Sequence, residues 1–428
     1  MNIPLRTKII IPALFLLCAR LSPGVEALSP GRAGDPAITA QAVAAELPRF
    51  KVDATSAILM NALSGQTLFE QNSGEKMAPA SLVKLMTLYL AYDALKTGLV
   101  KIDDAVLISK KAWETQGSKM FVEVGTRVEL QKLLEGIAAV SGNDACIAVA
   151  EHIAGIEEAF VARMNEKARS LGLSHTHFAN VSGLPVTDQY STAADIASLS
   201  YHYLADHPEA LPMHSITSFT FGGITQHNRN GLLLLNEGVD GLKTGWISDD
   251  EGFHLVATAQ KNGQRYISVV MGAKNRSTRE NEALKLLNYG FKNFSTATVF
   301  QAQEPLATVR VWRGTDDQVA LIAQEPGIIT VAAGEAPYLS FTKTIPERMY
   351  APLAQGETRG EGVIALRGKP LKKVALVTQN AVPSANVFKQ LYHSLLLSFY
   401  LPPYLGWFAV AFLSLGMVIL PLIRRKMS

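Results

Sequence analysis

Cysteine is nearly absent: the 428 residues hold two, Cys18 and Cys146. The first falls in a leader-like stretch, so the mature chain would keep one thiol and no internal disulfide. That excludes a disulfide-stapled fold, even for an exported protein. Cys146 lies in Ala145-Cys146-Ile147-Ala148-Val149, which reads as buried helix and not as a nucleophile site. Charge is sparse as well. Charged residues make up 18% of the chain, the formal net charge is +3, and no long basic run occurs, so nothing points to nucleic acid. Metal-binding patterns are missing too, with no His-x-Glu or paired-histidine spacing; His175 and His177 alone share one side of an extended segment.

Hydrophobic residues, at 48%, are instead abundant, and both ends contribute. Arg6 and Lys8 precede an apolar run from Ile9 to Ala19, with small residues near Val25-Glu26-Ala27. This is the pattern of a secretory signal peptide over 1–27. Leu16-Leu17 before Cys18 lacks the small residue of a lipoprotein site. At the other end, Ser394 to Ile423 carries no charge, and Arg424-Arg425-Lys426 follows it. A transmembrane anchor over 394–423 is predicted, with the basic tail in the cytoplasm and the rest of the mature chain outside. Pro402-Pro403 and Pro421 leave open a helix lying in the interface.

Between these ends the periodicity changes once. Two short strands are expected over Val52 to Leu68. Helices follow from Pro79 to about Lys96, from Val128 to Val140, through Ile153 and from Phe160 to Leu171, with another capped by Ser191 or Thr192 and running to Tyr203. Phe253 to Gln260 and Tyr266 to Met271 read as a hairpin closed at Lys261-Asn262-Gly263, and helix returns from Arg279 to Phe291. Helices inserted between early and late antiparallel strands give an α+β domain over 49–294. Residues 295–390 show short alternating runs, namely Ala307 to Trp312, Gln318 to Ile322, Gly327 to Val331, Tyr338 to Thr342, Gly362 to Leu366 and Val374 to Gln379. They read as a small all-β sandwich without catalytic residue clusters.

The chemistry concentrates in Pro79-Ala80-Ser81-Leu82-Val83-Lys84. A serine and a lysine three residues apart at a helix start share one face, so the lysine amine reaches the hydroxyl. A serine is a weak nucleophile until a base takes its proton, and a lysine serves at neutral pH only if burial or another cation lowers its pKa. Ser73-Gly74-Glu75-Lys76 repeats the spacing in a polar turn, so the motif alone decides little. Two further motifs follow in order, Ser141-Gly142-Asn143 between helices and Lys243-Thr244-Gly245 before the hairpin. Their decoys, Ser384-Ala385-Asn386 and Lys96-Thr97-Gly98, lie beyond the last expected strand of the sandwich and at a helix end.

This ordered set resembles the low-molecular-mass penicillin-binding proteins, the serine D-alanyl-D-alanine carboxypeptidases of peptidase family S11. Asn228-Arg229-Asn230-Gly231-Leu232 and Val239-Asp240-Gly241-Leu242 resemble family blocks as well. The resemblance implies a penicillin-binding-protein/β-lactamase-like catalytic domain without cofactor, acting on peptidoglycan pentapeptides and acylated by β-lactams. It implies Ser81 as nucleophile and Lys84 as base, its pKa lowered by burial and by Lys243. Ser141 would relay a proton, and Asn143 would hold the peptide and Lys84. Backbone N–H groups of Ser81 and Trp246 would form the oxyanion hole. Lys243, Thr244, Gly245 and Arg279 would bind substrate, with Arg276 the competitor of Arg279 for its carboxylate. Trp246 stands where several relatives carry histidine. A class A β-lactamase would need a glutamate followed four residues later by asparagine. Glu157, Glu158 and Glu166 are followed instead by Val161, Ala162 and Ser170. The same motifs also fit a D,D-endopeptidase of that family, or a non-catalytic envelope-binding protein.

Overall fold

The computed structural model describes residues 50–398, except 236 and 249. The leader expected over 1–27 and the anchor expected over 394–423, beyond residue 398, lie outside the described residues. No helix among the described residues is long and apolar enough to cross a membrane.

The chain begins with the hairpin β1 (Ser56–Asn61) and β2 (Thr67–Gln71). A helical region follows: α1 (Lys84–Lys96), α2 (Lys110–Glu114), α3 (Leu130–Val140), α4 (Asn143–Ala154), α5 (Glu157–Ser170), α6 (Ala193–Asp206) and α7 (Leu211–His214). The small ribbons β3 (Ala105–Leu107) with β4 (Arg127–Glu129) and β5 (Ser218–Phe221) with β6 (Ile224–His227) edge it. The chain then returns as β7 (Val239–Trp246), β8 (Phe253–Lys261) and β9 (Gln264–Ala273), and closes with α8 (Arg276–Asn293). The five strands form one antiparallel sheet in the order β2-β1-β9-β8-β7. Strand alternation sorts its side chains into two cores. Ile58, Met60, Val256 and Val269 join the helical region, whereas Ala57, Leu59, Leu255 and Val270 pack with Leu286 and Leu287 of α8. Both faces are covered, which is why these strands read as nearly continuous apolar runs.

Several expected boundaries shift, two of them at the site. Residues Ala80–Val83 form a 3₁₀ turn, and the α-helix starts only at Lys84. Helix α8 begins at Arg276, three residues before the expected Arg279, because the Asn275 side chain caps it by accepting from Thr278 N at 2.8 Å.

The second, β-rich part comprises β10 (Phe294–Thr298), β11 (Pro305–Trp312), β12 (Gln318–Ile322), β13 (Ile328–Ala332), β14 (Leu339–Thr344), β15 (Arg348–Tyr350), β16 (Thr358–Leu366) and β17 (Lys369–Thr378). A final helix, α9 (Val387–Ser398), follows. Six strands make a sheet in the order β14-β16-β17-β12-β11-β15, and β10 pairs with β13 as a separate ribbon. The short strands β10 and β15 escaped the alternation pattern. The turn after β1 grips this part. Asn61 Nδ2 donates to Thr296 Oγ1 at 2.8 Å, Gln66 Nε2 donates to the Thr330 carbonyl at 3.1 Å, and the Ser64 and Thr330 hydroxyls meet at 2.7 Å.

Two buried histidines tie helices and loops to the sheet. Gly272 N–H donates to His254 Nδ1 at 3.0 Å, leaving Nε2–H to donate to the Ala78 carbonyl at 3.0 Å, just before the Ser81 turn. His214 Nδ1–H donates to the Leu242 carbonyl at 2.9 Å, and its Nε2 accepts from the Tyr203 hydroxyl at 3.0 Å. Burial pushes both down to about 4 from 6.5. Below pH 6.5 the unfolded chain therefore takes up protons that the folded chain refuses. Stability is full above that pH and falls as pH drops toward 4, by roughly 3 kcal/mol per histidine. Denaturant titrations at pH 7.5, 6 and 4.5 should show this loss, and equal stability at all three would contradict it.

Candidate active site

The 3₁₀ turn has a direct chemical consequence. With three residues per turn, side chains at i and i+3 eclipse, so Lys84 sits over Ser81. Lys84 Nζ lies 2.9 Å from Ser81 Oγ and also donates to the carbonyl of Ser182. The amine is fully buried, and burial pushes its pKa down to about 8. Arg229 adds to this effect, and the mutual repulsion between the buried Lys84 and Lys243 amines also disfavours charge on the pair. The loop carrying Ser182 meets the turn closely. Gly183 has a φ of +84°, and a Cβ there would lie 1.9 Å from the Ala80 carbonyl oxygen, so only glycine fits. Ala80 itself holds a φ of +50°, a strained backbone immediately before the nucleophile candidate.

The second motif forms the opposite wall. Ser141 ends α3 in the left-handed region, with a φ of 63°, and α4 starts two residues later. Its hydroxyl is buried and has no hydrogen-bond partner among the described residues. A buried hydroxyl left unsatisfied is costly unless a substrate or a transferred proton engages it. No hydrogen bond joins Asn143 to Lys84 among the described residues, contrary to expectation. Its Nδ2 donates to the Gln116 carbonyl at 2.6 Å, and its N–H to the Ser118 carbonyl at 2.7 Å. Beside it, the buried carboxylate of Asp144 accepts from the backbone N–H groups of Met120, Phe121, Val122 and Ala145. That set of bonds pins the Gly117–Val122 loop against the start of α4.

The third motif lies on β7, an edge strand of the sheet. Lys243 is buried, with Nζ donating to the Thr244 carbonyl at 3.0 Å. Burial, Lys84 and Arg229 hold its pKa well below the usual lysine range. A Cβ on Gly245 would lie 3.2 Å from Ala80 Cβ, so this glycine lets the strand run close to the Ser81 turn. Trp246 is half exposed, and its ring stacks on Phe253 with centroids 6.0 Å apart.

Ser81, Ser141, Asn143, Thr244, Gly245, Trp246, Arg276 and Arg279 all line one cavity of about 520 Å³. Lys84 and Lys243 lie buried behind it. Arg279 is 2% exposed. Its Nη2 donates to the Arg229 carbonyl at 2.8 Å and to Glu280 at 3.2 Å, while its Nε has no partner among the described residues. Arg276 also lines the cavity but is exposed. The sequence reading missed Arg229, which lines the same wall and donates to Ser118 Oγ at 2.7 Å. It missed Ser182 and Gly183 as well. The only signals were the Asn228-Arg229-Asn230 block and a polar, glycine-containing loop. The decoy Ser73 bonds Glu70, away from this cavity. His175 contacts Ser174, His177 the Asp188 carbonyl. No group of three metal-ligating side chains is found among the described residues.

Comparison with known proteins converges. Residues 40–275 match the peptidase S11 family, described as D-alanyl-D-alanine carboxypeptidase, and residues 294–384 match the C-terminal domain of penicillin-binding protein 5. The D-alanyl-D-alanine carboxypeptidase DacC of Escherichia coli (strain K12) is 40% identical over 357 residues, covering 82% of this chain and 89% of the relative. Penicillin binding protein 5 from Haemophilus influenzae superposes with a TM-score of 0.74 at 38% identity, over 79% of this chain and all of that structure. Penicillin-binding protein D2 from Listeria monocytogenes, solved in an ampicillin-bound form, matches 57% of this chain and all of that structure at 30% identity and a TM-score of 0.50. The chain belongs to the serine D-alanyl-D-alanine carboxypeptidase family, peptidase family S11, with a penicillin-binding-protein catalytic domain followed by a β-rich C-terminal domain.

Proposed function

We propose that the protein removes the terminal D-alanine from peptidoglycan stem pentapeptides through an ester on Ser81, and that β-lactams acylate the same oxygen. The observation that carries this reading is the 2.9 Å contact between Lys84 Nζ and Ser81 Oγ at a cavity shared with Ser141 and Thr244. With a pKa of about 8, roughly a tenth of Lys84 is neutral at pH 7. A neutral amine has two N–H bonds and one lone pair. One N–H goes to the Ser182 carbonyl, and the lone pair takes the Ser81 proton as Oγ attacks the carbonyl carbon.

The oxyanion then forms beside the Ser81 and Trp246 backbone N–H groups, each such donor being worth about 3 kcal/mol in comparable sites. Ser141, buried and unbonded, passes the proton from Lys84 toward the departing D-alanine nitrogen, with Lys243 alongside. The C–N bond breaks, D-alanine leaves, and water hydrolyses the ester. Asn143 and the edge of β7 hold the peptide main chain. We further propose that the mature enzyme faces the extracytoplasmic side of the bacterial inner membrane, in the periplasm. The leader and the apolar C-terminal segment support this on sequence alone.

Ser81→Ala should abolish covalent labelling by a fluorescent penicillin while thermal unfolding stays cooperative; labelling that persists, or that maps to Ser73, would contradict the assignment. Arg279 is proposed to pair the substrate's terminal carboxylate, since its buried guanidinium carries an unused Nε–H at the cavity wall. Arg279→Ala should slow cleavage of a free-acid peptide about a hundredfold, the size of a lost charge-assisted contact of 2–3 kcal/mol, with a far smaller effect on its C-terminal amide. Equal losses on both substrates would remove the role, and a larger loss in Arg276→Ala would transfer it.

A further inference from the structure

Strand β7 lies at the edge of its sheet and pairs there with β8 alone, so the backbone groups on its outer side need partners from elsewhere. Three consecutive carbonyls find them on side chains of the segment that runs from the end of α7 to the loop before β7. Ser215 Oγ–H donates to the Asp240 carbonyl at 2.7 Å, Asn230 Nδ2–H to that of Gly241 at 3.2 Å, and His214 Nδ1–H to that of Leu242 at 2.9 Å. The series ends on the amide that joins Leu242 to Lys243. Because a peptide unit is planar, holding the Leu242 carbonyl also fixes where the Lys243 nitrogen and Cα lie. His214 therefore stands one amide away from a buried amine of the site, and the proposed reaction assigns it nothing.

Its two neighbours decide which ring nitrogen carries the proton. A carbonyl can only accept, so Nδ1 is protonated; Nε2 then accepts, and the Tyr203 hydroxyl donates to it at 3.0 Å. The Tyr203 ring crosses the imidazole edge-on at 81°, with centroids 5.6 Å apart, and both side chains are fully buried. An imidazole engaged at both nitrogens has no second orientation to adopt. Burial, with repulsion from Lys243 added, keeps it neutral, so no further cation stands beside that amine.

We propose that His214 is a positioning residue of the reaction: locked by Tyr203, it clamps the Leu242 carbonyl and so holds the Lys243 amine in place behind the cavity. The proposal rests on the carboxypeptidase reading, in which Lys243 stands beside the Ser141 relay, and adds what aims that amine. A slackened clamp lets the strand edge shift without dismantling the sheet, and a shift of ~1 Å in a reacting group costs up to about a hundredfold in rate.

The test is the rate constant for acylation of the full-length protein by a fluorescent penicillin, with cooperative thermal unfolding verifying each variant. Asparagine carries its amide nitrogen where histidine has Nδ1, whereas glutamine carries it further out, where Nε2 lies. His214→Asn, which forfeits only the Tyr203 hydrogen bond, should stay within about threefold of the wild type. His214→Gln, which loses the clamp, should be slower by about tenfold to a hundredfold. Tyr203→Phe keeps the ring packing but frees the tautomer, and should slow acylation by about threefold. Lys243→Met removes the amine itself, so adding His214→Gln or Tyr203→Phe to it should slow acylation no further. Equal rates for His214→Asn and His214→Gln, or losses that multiply with that of Lys243→Met, would overturn the positioning role and leave the carboxypeptidase reading intact. A wild type that penicillin does not acylate would overturn both.

Discussion

Everything at this site depends on keeping one amine dry. Lys84 is fully buried at the start of α1, a helix whose other residues pack into the core on nearly every side. In water an ammonium would hold its proton and Ser81 would stay an ordinary alcohol. Burial disfavours the charged form, Arg229 adds repulsion, and the Ser182 carbonyl orients what remains. The buried carboxylate of Asp144, held by four backbone N–H groups, pulls the other way, but burial outweighs it. Arg229, Arg276 and Arg279 line the cavity, which suits a substrate bearing a carboxylate.

Holding that arrangement takes close backbone approaches from three directions. Gly183 presses on the Ala80 carbonyl, Gly245 on the Ala80 methyl, and His254 ties the Ala78 carbonyl to the sheet. The 3₁₀ turn and the positive φ of Ala80 are what these contacts enforce on Ser81. A site built this way is rigid before substrate arrives, and preorganisation is what makes fixed N–H donors effective toward a developing oxyanion.

The three motifs were legible because their chemistry demands short spacings. Ser81 and Lys84 must share a face, Ser141 and Asn143 must flank a helix-to-helix break, and Lys243 to Gly245 must lie on an exposed strand edge. Sequence could not supply contacts made across the fold. Ser182 lies 98 residues from Lys84, and Arg229 comes from a loop whose polar composition suggests only a turn. Local geometry was also blurred, since helical periodicity does not distinguish a 3₁₀ first turn from an α one. The partner of Asn143 was misassigned for the same reason: the Gln116 carbonyl belongs to a loop fixed by Asp144, which no spacing reveals. In the β-rich part, alternation missed β15, which has only three residues, and β10, whose Ser-Thr-Ala-Thr run after Phe294 carries no apolar alternation.

The role of Lys84 is tested most directly by the rate at which penicillin acylates the purified protein as a function of pH. If a buried Lys84 is the base, the acylation rate constant should rise tenfold per pH unit below about 8 and level off above it. A rise centred near the ordinary lysine value of 10.5, or a rate independent of pH between about 6 and 10, would contradict it.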